Sequence, residues 1–250
     1  ASVRPVCSCF TARDLGVAVL RGLSVMDRTP DGYHSLVTPS FGVVYAKGAN
    51  IGRKVTAGVT ILCIHGGNKA TQSSAVWNPL LEEVVEDNCR YSHVQVLAVD
   101  MPGYGKTPAF NAPPELRLGV EVRVLDEVRT VLLEHTGRQL DKFVLLAKSW
   151  GGAVSTMYAA AHPAKLSGLW MSAPAVLQVL GEEVAVEVLR SLKVPVILAW
   201  STDDAVLPYE PSCGIIRAAV PCSFIPFQTG NHDAAARHAA EFLPFALATL

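Results

Sequence analysis

KFVLLAKSWGGAV, residues 142–154, passes from a strand pattern to a helix pattern at a single serine. Residues 142–148 are almost continuously apolar, as in a parallel strand that is covered on both faces. Gly151, Gly152 and the small residues that follow them begin a helical pattern. We therefore predict a strand, a sharp turn at Ser149 and a helix.

Five further apolar runs of strand length lie on either side of this segment. A helical pattern over residues 115–135 has its apolar residues on one face and its charges on the other, and residues 234–250 predict a closing helix. This alternation predicts a doubly wound α/β sheet. The five runs are VTILCIH (59–65), VQVLAVD (94–100), LSGLWMS (166–172), VPVILAW (194–200) and CSFIPF (222–227).

Residues 1–58 have a different pattern. Short alternating runs, VAVLRGLSV (17–25) and FGVVYAKG (41–48), are separated by glycines and predict antiparallel strands at the sheet edge. No linker or internal repeat divides the chain. We therefore predict one domain over residues 1–250, with N-terminal strands and loops over 1–58 and a parallel core over 59–250.

The composition narrows the class of function. Half of the 250 residues are hydrophobic (50%) and only 17% are charged, which excludes a disordered chain. Twenty-one Lys and Arg against 22 Asp and Glu give a net charge of −1, so no nucleic-acid partner is expected. No apolar run reaches the ~18–20 residues of a membrane span, so we expect a soluble protein.

The six cysteines are too few for a disulfide-stapled scaffold. Cys7 and Cys9 have no matching second pair, which makes a zinc site there a poor interpretation. A reduced intracellular protein, and hence a cytoplasmic one, is the expectation. Whether a leader has been removed before Ala1 stays open.

Ligands of α/β sheets bind at the carboxyl ends of the strands, so the residues that follow each run are informative. The run at 59–65 is followed by Gly66, Gly67 and Asn68. Glycines let backbone N–H groups turn toward a bound group, which suits an oxyanion hole. A plain strand-to-loop turn is the alternative.

Ser149 has the surroundings of a nucleophile elbow, in which a serine sits on a sharp turn from strand to helix. Small residues stand two positions before and after it, Ala147 and Gly151, where the backbones approach closely. The N–H of Trp150 then faces the same space as the hydroxyl. The alternative is that Ser149 only caps the helix.

A nucleophilic serine needs a base and an orienting carboxylate, which follow the serine in the order acid, then histidine, in this architecture. The run at 194–200 is followed by Asp203 and Asp204, and the last run by His232. Each of the three residue types therefore stands at a strand end. Both aspartates are candidates for the acid.

HGGN, DMPGYGKT, AKSWGG, DDAVLP and GNH together resemble the α/β-hydrolase superfamily, over about residues 40–250. The resemblance implies an α/β-hydrolase fold, with a mostly parallel eight-stranded sheet and helices on both faces. It also implies Ser149 as the nucleophile and His232 as the general base. The family's Asp-x-apolar-apolar-Pro pattern favours Asp204 as the acid, with Asp203 as the second choice or as a residue that fixes the loop.

The same resemblance implies that the backbone N–H groups of Trp150 and Gly67 form the oxyanion hole. Many relatives carry a helical cap, but residues 172–193 are enough for only one crossover helix, so we predict a lidless, open site. The expected substrate is a small acylated molecule or an acylated protein. Residues expected to line the substrate site are Asn68, Lys148, Pro174 and Val206.

Lys148 is unusual beside a nucleophile. It either pairs with a carboxylate away from the site or favours an anionic substrate. The leading hypothesis is a serine hydrolase of carboxylic esters or thioesters, with no metal or organic cofactor, as a monomer or homodimer. Lyase, perhydrolase or peptidase chemistry would use the same triad. The alternative from another class is a ligand-binding or interaction protein with a vestigial triad, suggested by Ala147 and Lys148.

Overall fold

One nine-stranded sheet runs through the computed structural model, which describes residues 26–52, 58–136 and 142–250. Its spatial order is β1-β2-β3-β5-β4-β6-β7-β8-β9. The described part of the sheet has one strand more than the eight that were predicted. The strands are β1 (Met26–Arg28), β2 (His34–Thr38), β3 (Gly42–Ala49), β4 (Val59–Ile64), β5 (Val94–Val99), β6 (Lys142–Lys148), β7 (Gly168–Ser172), β8 (Val196–Ser201) and β9 (Ser223–Phe227).

The six predicted apolar runs are the six parallel strands, β4 to β9, with ends within two residues of the prediction. The run at 41–48 falls in β3, which pairs antiparallel with β2 and β5 as expected for the N-terminal part. The run at 17–25 and the Cys7–Cys9 pair lie outside the described residues.

Alternate residues of the parallel strands serve two separate cores, one on each face of the sheet. In β6, Leu145 and Ala147 belong to one core, whereas Val144 and Leu146 belong to the other. All four are fully buried. Two covered faces explain why these strands are almost continuously apolar instead of alternating.

Helices cover both faces of the sheet. The first core packs against α3 to α7, and the second against α1, α8 and α9. The helices are α1 (Asn78–Glu86), α2 (Asn88–Tyr91), α3 (Arg117–Thr136), α4 (Trp150–Ala161), α5 (Val176–Leu180), α6 (Glu182–Ser191), α7 (Tyr209–Ala219), α8 (Ala234–Arg237) and α9 (Ala239–Leu247).

Three predictions about helices need correction. The single crossover helix over 172–193 is two helices, α5 and α6, because Gly181 adopts φ 78°, outside the helical region. The closing helix is also divided, at His238. In α3 we predicted that the charged residues face solvent, but Glu121 is only 2% exposed.

None of the helices within the described ranges is long and apolar enough to cross a membrane. The sheet and its helices form an α/β-hydrolase fold, and no cap domain is evident in the described part of the chain. The connection between β7 and β8 holds only α5 and α6.

Candidate active site

The predicted site residues lie on loops that leave the same end of the sheet, the carboxyl end of its parallel strands. β4 and β6 are neighbours, but the chain leaves β4 for β5 on one side and reaches β6 on the other. Such a reversal opens a crevice at the carboxyl ends of the two strands. Gly67 follows β4, Ser149 follows β6, Asp204 follows β8 and His232 follows β9, so all four lie at the same end.

Ser149 occupies a strained turn between β6 and α4. Its backbone has φ 53° and ψ −122°, a region that residues other than glycine rarely adopt. Hydrogen bonds hold the turn, because the Ser149 carbonyl accepts from the N–H groups of Gly152 and Ala175, both at 2.9 Å. A Cβ on Gly151 would lie 2.5 Å from the His65 carbonyl oxygen, so this position needs glycine.

His232 and Asp204 form a buried pair. His232 Nδ1 lies 2.8 Å from Asp204 Oδ2, and the other carboxylate oxygen accepts from the N–H groups of Val206 and Leu207, both at 2.9 Å. Burial alone would raise the pKa of Asp204, but these hydrogen bonds outweigh it and lower the pKa below its usual value. An ionised Asp204 keeps the imidazole proton on Nδ1. Nε2 is buried and has no hydrogen-bond partner in the described ranges.

Asp203 faces a different way from its neighbour. Its Oδ1 accepts from the Ser201 hydroxyl and from the Asn231 N–H, the latter at 2.7 Å. The hydrogen bond from Ser201 is the main cause that lowers the Asp203 pKa. Asp203 thus ties the turn after β8 to the loop that carries His232, while Asp204 contacts the imidazole.

Gly67 lies close against the side chain of Trp150. A Cβ on Gly67 would lie 2.9 Å from the Trp150 Cβ. The Trp150 N–H is the first of α4 and has no intrahelical acceptor. Gly66 donates its own N–H to Gln72 Oε1 at 3.2 Å, whereas the Gly67 N–H has no backbone partner among the described residues. Two donors of this kind beside a serine can stabilise an oxyanion.

A family model described as the alpha/beta hydrolase fold matches residues 59–185, which is half of the chain. The chain belongs to the α/β-hydrolase fold family. The matched residues include the loop after β4 and the elbow at Ser149. No curated protein matches the chain.

Solved structures share this α/β-hydrolase fold at low sequence identity. A predicted CIB-like hydrolase from Thermoplasma acidophilum is 16% identical, with a TM-score of 0.64. The esterase RhEst1 from Rhodococcus sp. ECU1013 is 16% identical, with a TM-score of 0.61. The thioesterase domain from the curacin biosynthetic pathway is 12% identical, with a TM-score of 0.61. Each alignment covers 90% of this chain and 98% of the other.

Lys148 of this α/β-hydrolase is 1% exposed and does not face solvent. Its Nζ forms an ion pair with Asp233 and a 3.1 Å hydrogen bond with Gln72 Oε1. The ammonium therefore links the elbow to the loop after β4 and to the residue that follows His232. Lys148 thus pairs with a carboxylate, but this carboxylate lies on the loop that carries His232 and not away from the predicted site.

The other predicted lining residues have different surroundings. Asn68 is exposed, and its Oδ1 accepts from the Ala70 N–H at 3.0 Å. Pro174 is buried against α4. It lies so close to Gly152 that a Cβ on this glycine would be 2.5 Å from the Pro174 Cβ. Val206 is 63% exposed. Within the described ranges, no group of three or more His, Cys, Asp or Glu side chains could hold a metal ion.

Sequence reasoning missed several polar residues that surround the site. Gln72 and Asp233 contact Lys148. Tyr104, Arg117 and Glu121 form a hydrogen-bonded group beside Trp150. Only one signal was visible in the sequence, the spacing of Arg117 and Glu121 by four residues on one helix, which suits an ion pair.

The Lys148–Asp233 pair makes an asymmetric prediction about stability. Asp233→Asn leaves the Lys148 ammonium without its counter-charge, and the Lys148 side chain is only 2% exposed. We therefore expect a loss of about 2 kcal/mol in the free energy of unfolding. Lys148→Met should cost about half of that, because the Asp233 side chain is 31% exposed and reaches water. Urea denaturation measures both.

The exposed pair of Lys165 with Asp126 provides the control, and Lys165→Met should cost no more than about 0.5 kcal/mol. A larger loss for Lys148→Met than for Asp233→Asn would contradict the buried-ammonium argument.

Proposed function

We propose that this chain is a serine hydrolase that cleaves carboxylic esters or thioesters through Ser149, His232 and Asp204. The observation that supports this most is the state of the imidazole. Its Nδ1 is held by Asp204 at 2.8 Å, and its Nε2 is buried without a partner in the described residues. An oriented imidazole with a free Nε2 is the base that a serine hydroxyl needs.

In the proposed reaction the Ser149 hydroxyl oxygen attacks the acyl carbon, and His232 Nε2 takes the hydroxyl proton. The N–H groups of Gly67 and Trp150 stabilise the negative oxygen of the tetrahedral intermediate. When the intermediate collapses, His232 returns the proton to the leaving alcohol or thiol. Water then attacks the acyl enzyme in the same way and releases the acid.

The proposed class of substrate depends on how open the site is at the carboxyl ends of the strands. Without a cap over the described part of the site, we propose a small acylated molecule or an acylated protein as the substrate. Structures that share the fold include an esterase and a thioesterase domain, which is compatible with either bond. We also propose a single domain over residues 1–250, acting in the cytoplasm as a monomer or homodimer.

The test is labelling with a fluorophosphonate probe, which reacts covalently with an activated serine. The wild type should be labelled and Ser149→Ala should not. Ser155→Ala removes another serine, buried in α4, and should be labelled like the wild type. A panel of p-nitrophenyl esters of increasing chain length then defines the acyl group.

Equal labelling of wild type and Ser149→Ala would falsify the proposal, as would an unlabelled wild type. In the latter case a ligand that raises Tm without being hydrolysed would favour the binding protein with a vestigial triad.

A further inference from the structure

A continuous chain of hydrogen bonds connects the two residues of the proposed oxyanion hole. The Trp150 indole N–H donates to Glu121 Oε2, and Arg117 Nε donates to Glu121 Oε1 at 2.8 Å. Arg117 Nη2 donates to the Tyr104 hydroxyl at 2.5 Å, and this hydroxyl donates to the Gly67 carbonyl at 2.6 Å. The chain starts at one residue of the hole and ends at the other.

Burial makes these contacts strong constraints. Glu121 and Tyr104 are each 2% exposed, and a buried carboxylate is costly unless it is paired and hydrogen-bonded. The Arg117 guanidinium lies 4.2 Å from the centroid of the Trp150 ring and pairs with Glu121. Loss of one member would therefore leave a buried charge or donor without its partner.

Gly67 needs a restraint from outside its own backbone. A side chain at this position would collide with the Trp150 Cβ, so glycine is required there. Glycine, however, has the widest choice of φ and ψ, and its peptide groups rotate most easily. The hydrogen bond from Tyr104 fixes the peptide that follows Gly67 and so limits rotation at Gly67 from its carbonyl side. The Gly67 N–H belongs to the preceding peptide, whose Gly66 carbonyl lies 2.7 Å from His65 Nδ1.

Trp150 is restrained from the other direction. Its backbone N–H opens α4, and its indole is held between the Glu121 carboxylate and the Arg117 guanidinium. A fixed ring limits how far the first turn of α4 can move. Glu121 and Arg117 lie on α3, so one helix holds the elbow side of the hole and, through Tyr104, the Gly67 side as well.

We propose that Tyr104, Arg117 and Glu121 are positioning residues that hold the Gly67 and Trp150 amides in the orientation that binds the oxyanion. The inference rests on the proposed hydrolase function. It predicts a loss of transition-state stabilisation with little change in substrate binding. A purely structural tie between α3 and the elbow would lower stability without this selective effect.

The experiment compares Tyr104→Phe, Trp150→Phe and Glu121→Ala with the wild type, using the best p-nitrophenyl ester and its trifluoromethyl ketone analogue. Removing an oxyanion donor directly costs about 10²–10³ in kcat, so misplacing one should lower kcat about tenfold. KM should stay within about twofold, and the affinity for the ketone should fall in parallel with kcat/KM. Glu121→Gln keeps an acceptor for the indole and should recover part of the loss.

The matched control is Tyr158, which lies on α4, the helix that begins at Trp150, but away from the site. Tyr158 is buried and donates to Asp126 Oδ1 at 2.9 Å, so Tyr158→Phe removes a comparable hydrogen bond to α3. It should lower stability without changing kcat or the affinity for the ketone.

The double variant Tyr104→Phe, Trp150→Phe separates one shared network from two independent contacts. If both residues act through the same chain of hydrogen bonds, their combined effect on kcat should be smaller than the product of the single effects. Full additivity, or unchanged kcat and ketone affinity in the single variants, would overturn the inference alone. A wild type without Ser149-dependent turnover would overturn the proposed function and this inference together.

Discussion

Asp204→Asn should lower kcat for a p-nitrophenyl ester by about 10⁴-fold while KM stays within a few-fold. The asparagine amide can donate a hydrogen bond to His232 Nδ1, which moves the ring proton to Nε2 and removes the base. In the native protein the 2.8 Å contact to the carboxylate keeps that proton on Nδ1. Steady-state kinetics at pH 7.5 give the comparison.

Asp203→Asn is the matched control, since it alters the adjacent carboxylate by the same one-atom change. Asp203 contacts Ser201 and the Asn231 N–H instead of the imidazole. We expect kcat to fall no more than about tenfold, through loosening of the His232 loop. If Asp203→Asn lost the greater part of the activity and Asp204→Asn kept it, the acid would have to be reassigned to Asp203.

His65 should make the fold sensitive to acid. Burial lowers the His65 pKa to about 4, below its ordinary 6.5. The neutral ring suits its contacts, because Nε2 accepts from the Met101 N–H at 3.0 Å and Nδ1 lies 2.7 Å from the Gly66 carbonyl oxygen. As pH falls below 6.5, the unfolded chain takes up a proton at His65 before the folded chain does, and folding loses free energy.

The expected loss from this one residue is about 3 kcal/mol between pH 7 and pH 3.5, from the difference between the two pKa values. Urea unfolding of the wild type and His65→Asn across this range measures it, because the contributions of other groups cancel in the difference. NMR titration of the folded wild type reports the His65 pKa directly. A ring that titrates near 6.5, or parallel stability curves for the two proteins, would contradict the prediction.

The sheet was predictable because its strands have two covered faces. The middle of such a strand, as at 143–147, must be apolar at every position because Val144 faces one core and Leu145 the other. The placement of the loops that carry the predicted site residues was predictable for a related reason. Parallel strands have their carboxyl ends at one end of the sheet, so the loops that carry Ser149, Asp204 and His232 all begin there although they are distant in the chain.

Contacts that depend on distant side chains were not predictable. Glu121 looked like a solvent-facing charge, and its contacts with the Trp150 indole and the Arg117 guanidinium explain its burial. The partner of Lys148 was not predictable either, because Asp233 is distant from it in the chain. The different orientations of Asp203 and Asp204 depend on the geometry of one turn, which the sequence pattern left open.

The crossover between β7 and β8 cannot accept added residues at its start, next to the elbow, but it can accept them in its middle. Ala175 donates its N–H to the Ser149 carbonyl, and Pro174 packs against Gly152, so added residues there would distort the elbow. Gly181, between α5 and α6, is exposed, and a Cβ there would meet nothing within 4 Å. In evolutionary terms, Gly181 is the point where a lineage could acquire a lid while the nucleophile stays in place.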